Sequence, residues 1–323
     1  MDAPLKKMMS VEACIGARGI APYHLLNIHN SKLAPLALAC GRFLLDKIMD
    51  LLVTSTSKNG VKLSALITVI IPLFTATPLA AQKASDTAQA PKKDLEITLG
   101  AGVAVGPDYY GSKKTEFDFV PVVDIVWKNR FFLSTLQGLG AYAVNDEESG
   151  ITLGASIAPG NSRTRRFLQP RLRGLGTIKT SVQGRLFASY APVAPISLSV
   201  SVAKDFGGTK GYQADIGLDA GVPLGKKLIV AASVGASYWD RKLTQGFFGV
   251  TVAQSARTGF RTFNAKSGFN SYSLGLSSIY KLTDHFNLNL ILGAERRLND
   301  SARSPVIERK LDRSAIFAVS YTF

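Results

Sequence analysis

Cysteine and histidine are nearly missing from this chain of 323 residues, which has only Cys14, Cys40, His24, His29 and His285. Beyond residue 40 there is one histidine and no cysteine. That leaves nothing for a disulfide or a thiol nucleophile there and excludes a His/Cys metal site. A long apolar run is also missing. The stretch from Leu63 to Phe74 holds twelve residues, and at 1.5 Å per residue it reaches about 18 Å, short of a hydrocarbon core of roughly 30 Å. The third absence is periodic: after residue 93 no stretch repeats its apolar residues at helical spacing, so helical architectures are not expected there.

What surrounds the apolar run is informative. Lys58 and Lys62 precede it, and Ala76, Thr77, Ala80 and Ala81 follow it. A basic segment, a short apolar segment and a run of small residues are the parts of an export signal, with cleavage expected near residue 80. Met49 would start a signal of ordinary length. Residues 1–48 then read as a non-native extension from a misassigned start, the alternative being a long basic leader to the signal. The expected organisation is therefore an extension at 1–48, a signal peptide at 49–81, a periplasmic leader at 82–93 and a folded domain at 94–323.

In that domain apolar residues recur at every second position. Leu95, Ile97, Leu99, Val103 and Val105 share one parity, and Thr98, Gly100, Gly102, Ala104 and Gly106 the other. Ile196 to Val202, Tyr212 to Val222 and Phe286 to Leu292 repeat the pattern. A period of two places one set on each face of a strand. Glycine weakens an ordinary strand, so its abundance on one face suits a crowded or watery interior, with the apolar face turned to lipid.

Twelve strands are predicted, at roughly 94–105, 117–127, 130–136, 139–144, 151–158, 181–191, 195–204, 212–223, 228–239, 270–282, 285–297 and 313–323, with ten or fourteen as alternatives. The pair at 130–144 also reads as one bent strand, and the 240–269 loop has room for a further strand at Phe247 to Val252. With the N-terminus in the periplasm, the periplasmic connections come out short and most of the opposite ones long, the asymmetry of an outer-membrane barrel. The chain finishes on Phe317, Val319, Tyr321 and Phe323 in alternation, a terminal aromatic strand like those presented to the barrel assembly machinery. The expected fold is all-β, a transmembrane antiparallel up-and-down β-barrel in the outer membrane of a Gram-negative cell.

By parity Asp118, Asp124, Arg185, Asp215, Asp219, Lys281, Glu295 and Arg297 face inward, where charge can be hydrated or paired. They read as a wet interior or as the lining of a permeation path. Tyr109, Tyr110, Trp127, Tyr190, Tyr238, Trp239 and Tyr321 fall near strand ends, as an interfacial aromatic belt does. The net charge of +15 includes six basic residues and no acid between Gly160 and Thr180. In an external loop these suit the phosphates of lipopolysaccharide, with solvated loop charge as the alternative. Nucleic acid is not an expected partner. His285 follows Thr283-Asp284 in a periplasmic turn without a serine placed beside it, so no catalytic, cofactor or metal residues are assigned and no enzyme is expected.

Four segments carry a resemblance: Gly106-Pro-Asp-Tyr-Tyr-Gly-Ser112, Phe132-Leu-Ser-Thr-Leu-Gln-Gly-Leu-Gly140, Phe248-Gly-Val-Thr with Ala253-Gln-Ser-Ala256, and Arg297-Leu-Asn-Asp-Ser-Ala-Arg-Ser-Pro305. Together they resemble the MipA/OmpV family of outer-membrane proteins, named for MltA-interacting protein, over about 94–323. The resemblance implies a scaffold for peptidoglycan biosynthesis that links a lytic transglycosylase and a peptidoglycan synthase to the outer membrane. It implies no catalytic residues. Reading the inward charges alone gives a different function, a channel for small polar solutes.

Overall fold

The computed structural model describes residues 94–323 except 147, 164–169 and 194. The expected extension, signal peptide and leader lie outside the described residues. Twelve strands run in chain order: β1 Leu95–Pro107, β2 Thr115–Trp127, β3 Phe131–Ser134, β4 Gly138–Asp146, β5 Ile151–Pro159, β6 Val182–Val193, β7 Ile196–Asp205, β8 Tyr212–Leu224, β9 Leu228–Trp239, β10 Gly268–Lys281, β11 Phe286–Arg297 and β12 Leu311–Thr322. Each pairs antiparallel with its sequence neighbour, and β12 returns to β1, closing the barrel.

Closure follows from the final strand. β12 pairs with β1 from Thr98↔Thr322 to Val105↔Ala315, and the Phe323 N–H donates to Ile97 O at 3.0 Å. No sheet edge is left at the seam, as a wall in hydrocarbon requires. Turn chemistry sets the register on the periplasmic side. Lys128 and Asn129 both have positive φ, 51° and 52°, the twist of a two-residue hairpin turn.

The alternation becomes two faces. Phe117, Phe119, Leu186, Val202 and Phe317 are more than half exposed, on strands that have no second layer outside them. Lipid is the medium that such a surface matches. Two inward glycines have a packing reason: a Cβ on Gly140 would overlap the Phe132 ring, and one on Gly154 the Phe187 ring. The rings lie against the wall there, and Phe132 meets Tyr142 at 4.7 Å and Phe187 at 6.0 Å between centroids. The 130–144 region is two strands and not one bent strand. β3 pairs only Asp124–Trp127 of β2, so the wall is low at this hairpin.

The extracellular connections correct the expectation of a helix-free domain. The 240–269 loop holds helices α1, Arg241–Phe248, and α2, Val252–Thr258, where a strand at Phe247–Val252 was an option. A third helix, α3, spans Asn299–Arg303. Local chemistry explains the first two. The Asp240 side chain accepts from Leu243 N and caps α1, while Thr251 and Gln254 form a reciprocal capping box on α2.

Candidate functional site

The site is the lumen together with the loops that close its extracellular mouth. Two apolar clusters fill that mouth. In the first, Ile178, Trp239, Leu243, Phe247 and Phe248 are buried, with Tyr110 and Ile307 packed on them. In the second, Leu172, Leu175, Val250 and Val306 are buried beside Tyr109, Phe260 and Phe263. Tyr110 meets Trp239 at 5.7 Å and Phe247 at 5.6 Å, edge to face, a geometry worth about 0.5–1.5 kcal/mol per pair beyond area burial. Polar bonds tie the loops across long sequence distances: Ser304 Oγ donates to Phe248 O at 2.6 Å, and Arg163 Nη1 donates to Phe247 O at 3.2 Å. Together these loops form a lid.

Beneath the lid sits one buried cation. The Arg297 guanidinium is fully buried and pairs with Glu295 at 3.0 Å and Asp312 at 3.2 Å. Its Nε and Nη1 have no hydrogen-bond acceptor, and its Cζ lies 4.4 Å from the Tyr110 ring centroid. Asp312 also accepts from Gly111 N, at 3.2 and 3.1 Å to its two oxygens. Gly111 has φ 78°, a left-handed backbone that brings its N–H to the carboxylate at little strain. Three of the four family-like segments therefore meet at Arg297: Tyr110 and Gly111 from the first, Phe248 from the third, and Arg297 from the fourth.

The rest of the inner wall is mixed: Val120 and Ile316 are buried against Ala104, Leu136 and Ile291, Phe132, Tyr142 and Phe187 pack ring on ring, and polar groups stand among them. Asp215 accepts from Gln213 Nε2 at 3.0 Å and from Ser201 Oγ at 3.4 Å, and Arg185 lies close enough to act on it electrostatically. Asp219 is served by Ser199. Near the periplasmic end Glu96 and Asp124 face inward with open surface, joined by Asn287 and Asn289 at intermediate exposure. Lys281 stands exposed at the rim. Asp118 is half-buried and has an interaction partner. Of the eight inward charges expected from parity, the structure pairs Glu295 with Arg297 and sets Arg185 beside Asp215, and it spreads the other four.

Two readings of aromatic and basic residues are corrected. Trp239 has no exposed surface and Tyr110 packs on it, so both belong to the lid core and not to the membrane belt, whereas Trp127, Tyr190 and Tyr238 do face outward. The error has a physical source: Trp239 ends its strand on the inward parity, and position near a strand end is shared by belt and lid. Arg163 is not a free phosphate ligand either. It donates to Gly176, Phe247 and Leu175 carbonyls, and burial lowers its guanidinium to about 10. Arg171 donates to Pro305 O and stacks on Phe260. Arg165 and Arg166 lie outside the described residues.

His285 occupies the turn after β10. Its Nδ1 lies 2.8 Å from Thr322 O and its ring stacks on Tyr321 at 5.3 Å, which fastens the turn to the last strand. Among the described residues no group of three His, Cys, Asp or Glu side chains is placed to hold a metal ion.

The profile of the family described as "MltA-interacting protein MipA" matches residues 99–323. A "24 kDa outer membrane protein" of Pasteurella multocida (strain Pm70) is 26% identical over 236 residues, covering 70% of this chain and 90% of that protein. The "MltA-interacting protein" of Escherichia coli (strain K12) is 25% identical over 235 residues, covering 71% and 90%. Among solved structures, "KdgM porin" aligns at 8% identity with a TM-score of 0.39, covering 71% of this chain and 99% of that one.

Proposed function

The chain belongs to the MltA-interacting protein MipA family, it is an outer-membrane β-barrel, and we propose that it is a channel for small polar solutes whose extracellular mouth is closed by a lid. The observation that carries this reading is the set of inward polar and acidic side chains beneath a mouth closed by loops. Serine, asparagine and acidic side chains share the inner wall with apolar groups such as Phe132, Val120 and Ile316, and the apolar packing over the extracellular mouth comes largely from loops. A lid of loops can move without breaking the wall, and channels use such constrictions as gates.

The periplasmic half of the path is acidic, with Glu96, Asp124 and Asp219 inward and Lys281 only at the rim. A cation-preferring path follows, because a ring of carboxylates lowers the barrier for cations and raises it for anions. Purified protein in a planar bilayer should give discrete conductance steps. Replacing residues 241–267 with a short Gly-Ser linker should raise the step size. A heat-modifiable barrel that stays silent in both forms would end the channel reading.

A scaffold for peptidoglycan enzymes is the second reading, favoured by the name of the Escherichia coli relative, MltA-interacting protein. Its partners would be a lytic transglycosylase and a peptidoglycan synthase. Short periplasmic turns such as Lys128–Asn129 offer such partners little surface, so binding would fall to the 82–93 leader or to the barrel rim. Co-purification of intact and leader-deleted protein with a lytic transglycosylase tests it. Retention by the intact chain alone supports the scaffold, and retention by neither removes it.

A further inference from the structure

The outer faces of β11 and β12 change character at one level. From the periplasm upward, β11 turns Phe286, Leu288, Leu290, Leu292 and Ala294 outward and then Arg296, while β12 turns Tyr321, Val319, Phe317 and Ala315 outward and then Arg313. The eight steps from Phe286 to Ala294 at about 3.3 Å each, tilted by ~40°, rise roughly 20 Å, and the ten to Arg296 roughly 25 Å, the height of the ~25 Å apolar band of such barrels. The two arginines therefore stand at the headgroup level of the outer leaflet. Arg296 lies opposite Leu311 and Ala294 opposite Arg313, so the two guanidinium groups are diagonal neighbours on one face. Like charges so placed repel unless an anion sits between them.

Nothing in the described protein supplies that anion. The side chains of Arg296, Lys310 and Arg313 are exposed and make no ion pair or hydrogen bond among the described residues. Arg296 and Lys310, with Arg303, line an open pocket of about 320 Å³, and no acidic side chain lines it. Arg303 itself is paired with Asp300 at 2.6 Å. Directly below, Ala294 and Ala315 leave a shallow step in the wall between Leu274, Leu292 and Val105, their cross-strand neighbours. Basic forks above and a shallow apolar step below match an amphiphile with phosphate on its head and several acyl chains.

We propose that Arg296, Lys310 and Arg313 form a binding site for the phosphate groups of an acylated, bis-phosphorylated glycolipid of the outer leaflet, with the lipid's chains laid over Ala294 and Ala315. This places a lipid contact on the outer wall of β11–β12, apart from Arg163 and Arg171 of the 160–180 loop, which are engaged with carbonyls. Guanidinium forks bind phosphate by paired, charge-assisted hydrogen bonds. The site is independent of what the lumen conducts.

The test is native mass spectrometry of the full chain in detergent, titrated with bis-phosphorylated lipid A and with the same lipid enzymatically dephosphorylated. The intact protein should hold the phosphorylated form about tenfold more tightly, the effect of ~1.4 kcal/mol from paired contacts. The triple variant Arg296→Gln/Lys310→Gln/Arg313→Gln should bind both forms alike. A control removing three other exposed cations of the extracellular side, Arg173→Gln/Lys179→Gln/Lys242→Gln, should keep the full preference. Heat modifiability confirms that each variant is a closed barrel. A preference that survives the triple variant, or one that the control loses equally, overturns the assignment.

Discussion

At its extracellular end the lumen holds Trp239, Leu243, Phe248 and Arg297 with almost no exposed surface, whereas at its periplasmic end Glu96 and Asp124 stand open. The upper end is made by loops folded inward and held by apolar packing around one buried cation. The lower end is made by the wall alone, with Glu96 and Asp124 on the inward parity beside the packed rings of Phe132 and Tyr142. The difference teaches that wall and lid are separable: hydrogen-bond ladders close the barrel, and side-chain packing closes its mouth. Each can be broken while the other is left standing.

The largest effect is expected from breaking the wall. Phe323 terminates the strand that seals β12 to β1, and its ring lies 4.8 Å from that of Tyr321. Phe323→Asp should reduce heat-modifiable barrel in the membrane fraction at least about tenfold, because the seam has no substitute partner in lipid. An equally drastic change in the lid, such as Val252→Asp at an exposed position, should leave barrel yield unchanged.

Breaking the lid comes next. Arg297→Ala removes the shared cation of a buried ion cluster, leaving Glu295 without a cation and Asp312 with only Arg309 at 3.7 Å, a loss of about 3–5 kcal/mol. The barrel should still form, but limited proteolysis should cut within 240–267 in the variant and spare the original protein. Trp239→Ala should act in the same direction, costing about 3–5 kcal/mol of packing. Loss of the barrel band itself would show that wall and lid are one cooperative unit.

A smaller effect sharpens the account of the lower end. Asp124→Asn/Asp219→Asn should reduce cation preference by about twofold, as expected when carboxylates leave a wet path, without changing lid proteolysis. The smallest effect is on pH. Asp300 is held below the usual carboxylate range chiefly by the Lys266 N–H, and Glu308 chiefly by the Lys113 N–H. Their stabilisation of the lid is present above the ordinary carboxylate pKa and fades as pH falls through the depressed folded values. Proteolysis of the lid by an acid-active protease should therefore rise only below the ordinary carboxylate range, and modestly, since both groups are largely solvated.

The wall was legible in the sequence because a period of two is imposed on every strand by lipid outside and small, polar or packed side chains inside. All twelve strands lie where alternation puts them, with ends shifted by a few residues. The lid was legible only in pieces. Thr251-x-x-Gln254 is a capping-box spacing that announces α2, yet α1 and α2 are too short to show a helical period, so the loop read as irregular or as a strand. Arg297 was expected inward from its parity. What parity cannot tell is that Tyr110 reaches Arg297 and Gly111 reaches its partner Asp312, since these contacts join residues about 190 to 200 positions apart. Trp239 shows the same limit, since its burial depends on loops that fold over it.

The most direct test of the closing lid uses the scarcity of cysteine. A Cβ on Gly246 of α1 would lie 3.6 Å from Thr209 Cβ in the β7–β8 loop, within disulfide range. In a chain with Cys14→Ser and Cys40→Ser, the pair Thr209→Cys/Gly246→Cys tethers the lid across the mouth. Single-channel recording of this protein before and after reduction reads the gate alone. A lidded channel should be silent when oxidised and should show discrete steps once reduced. Equal conductance in both states would contradict the claim that these loops close the path.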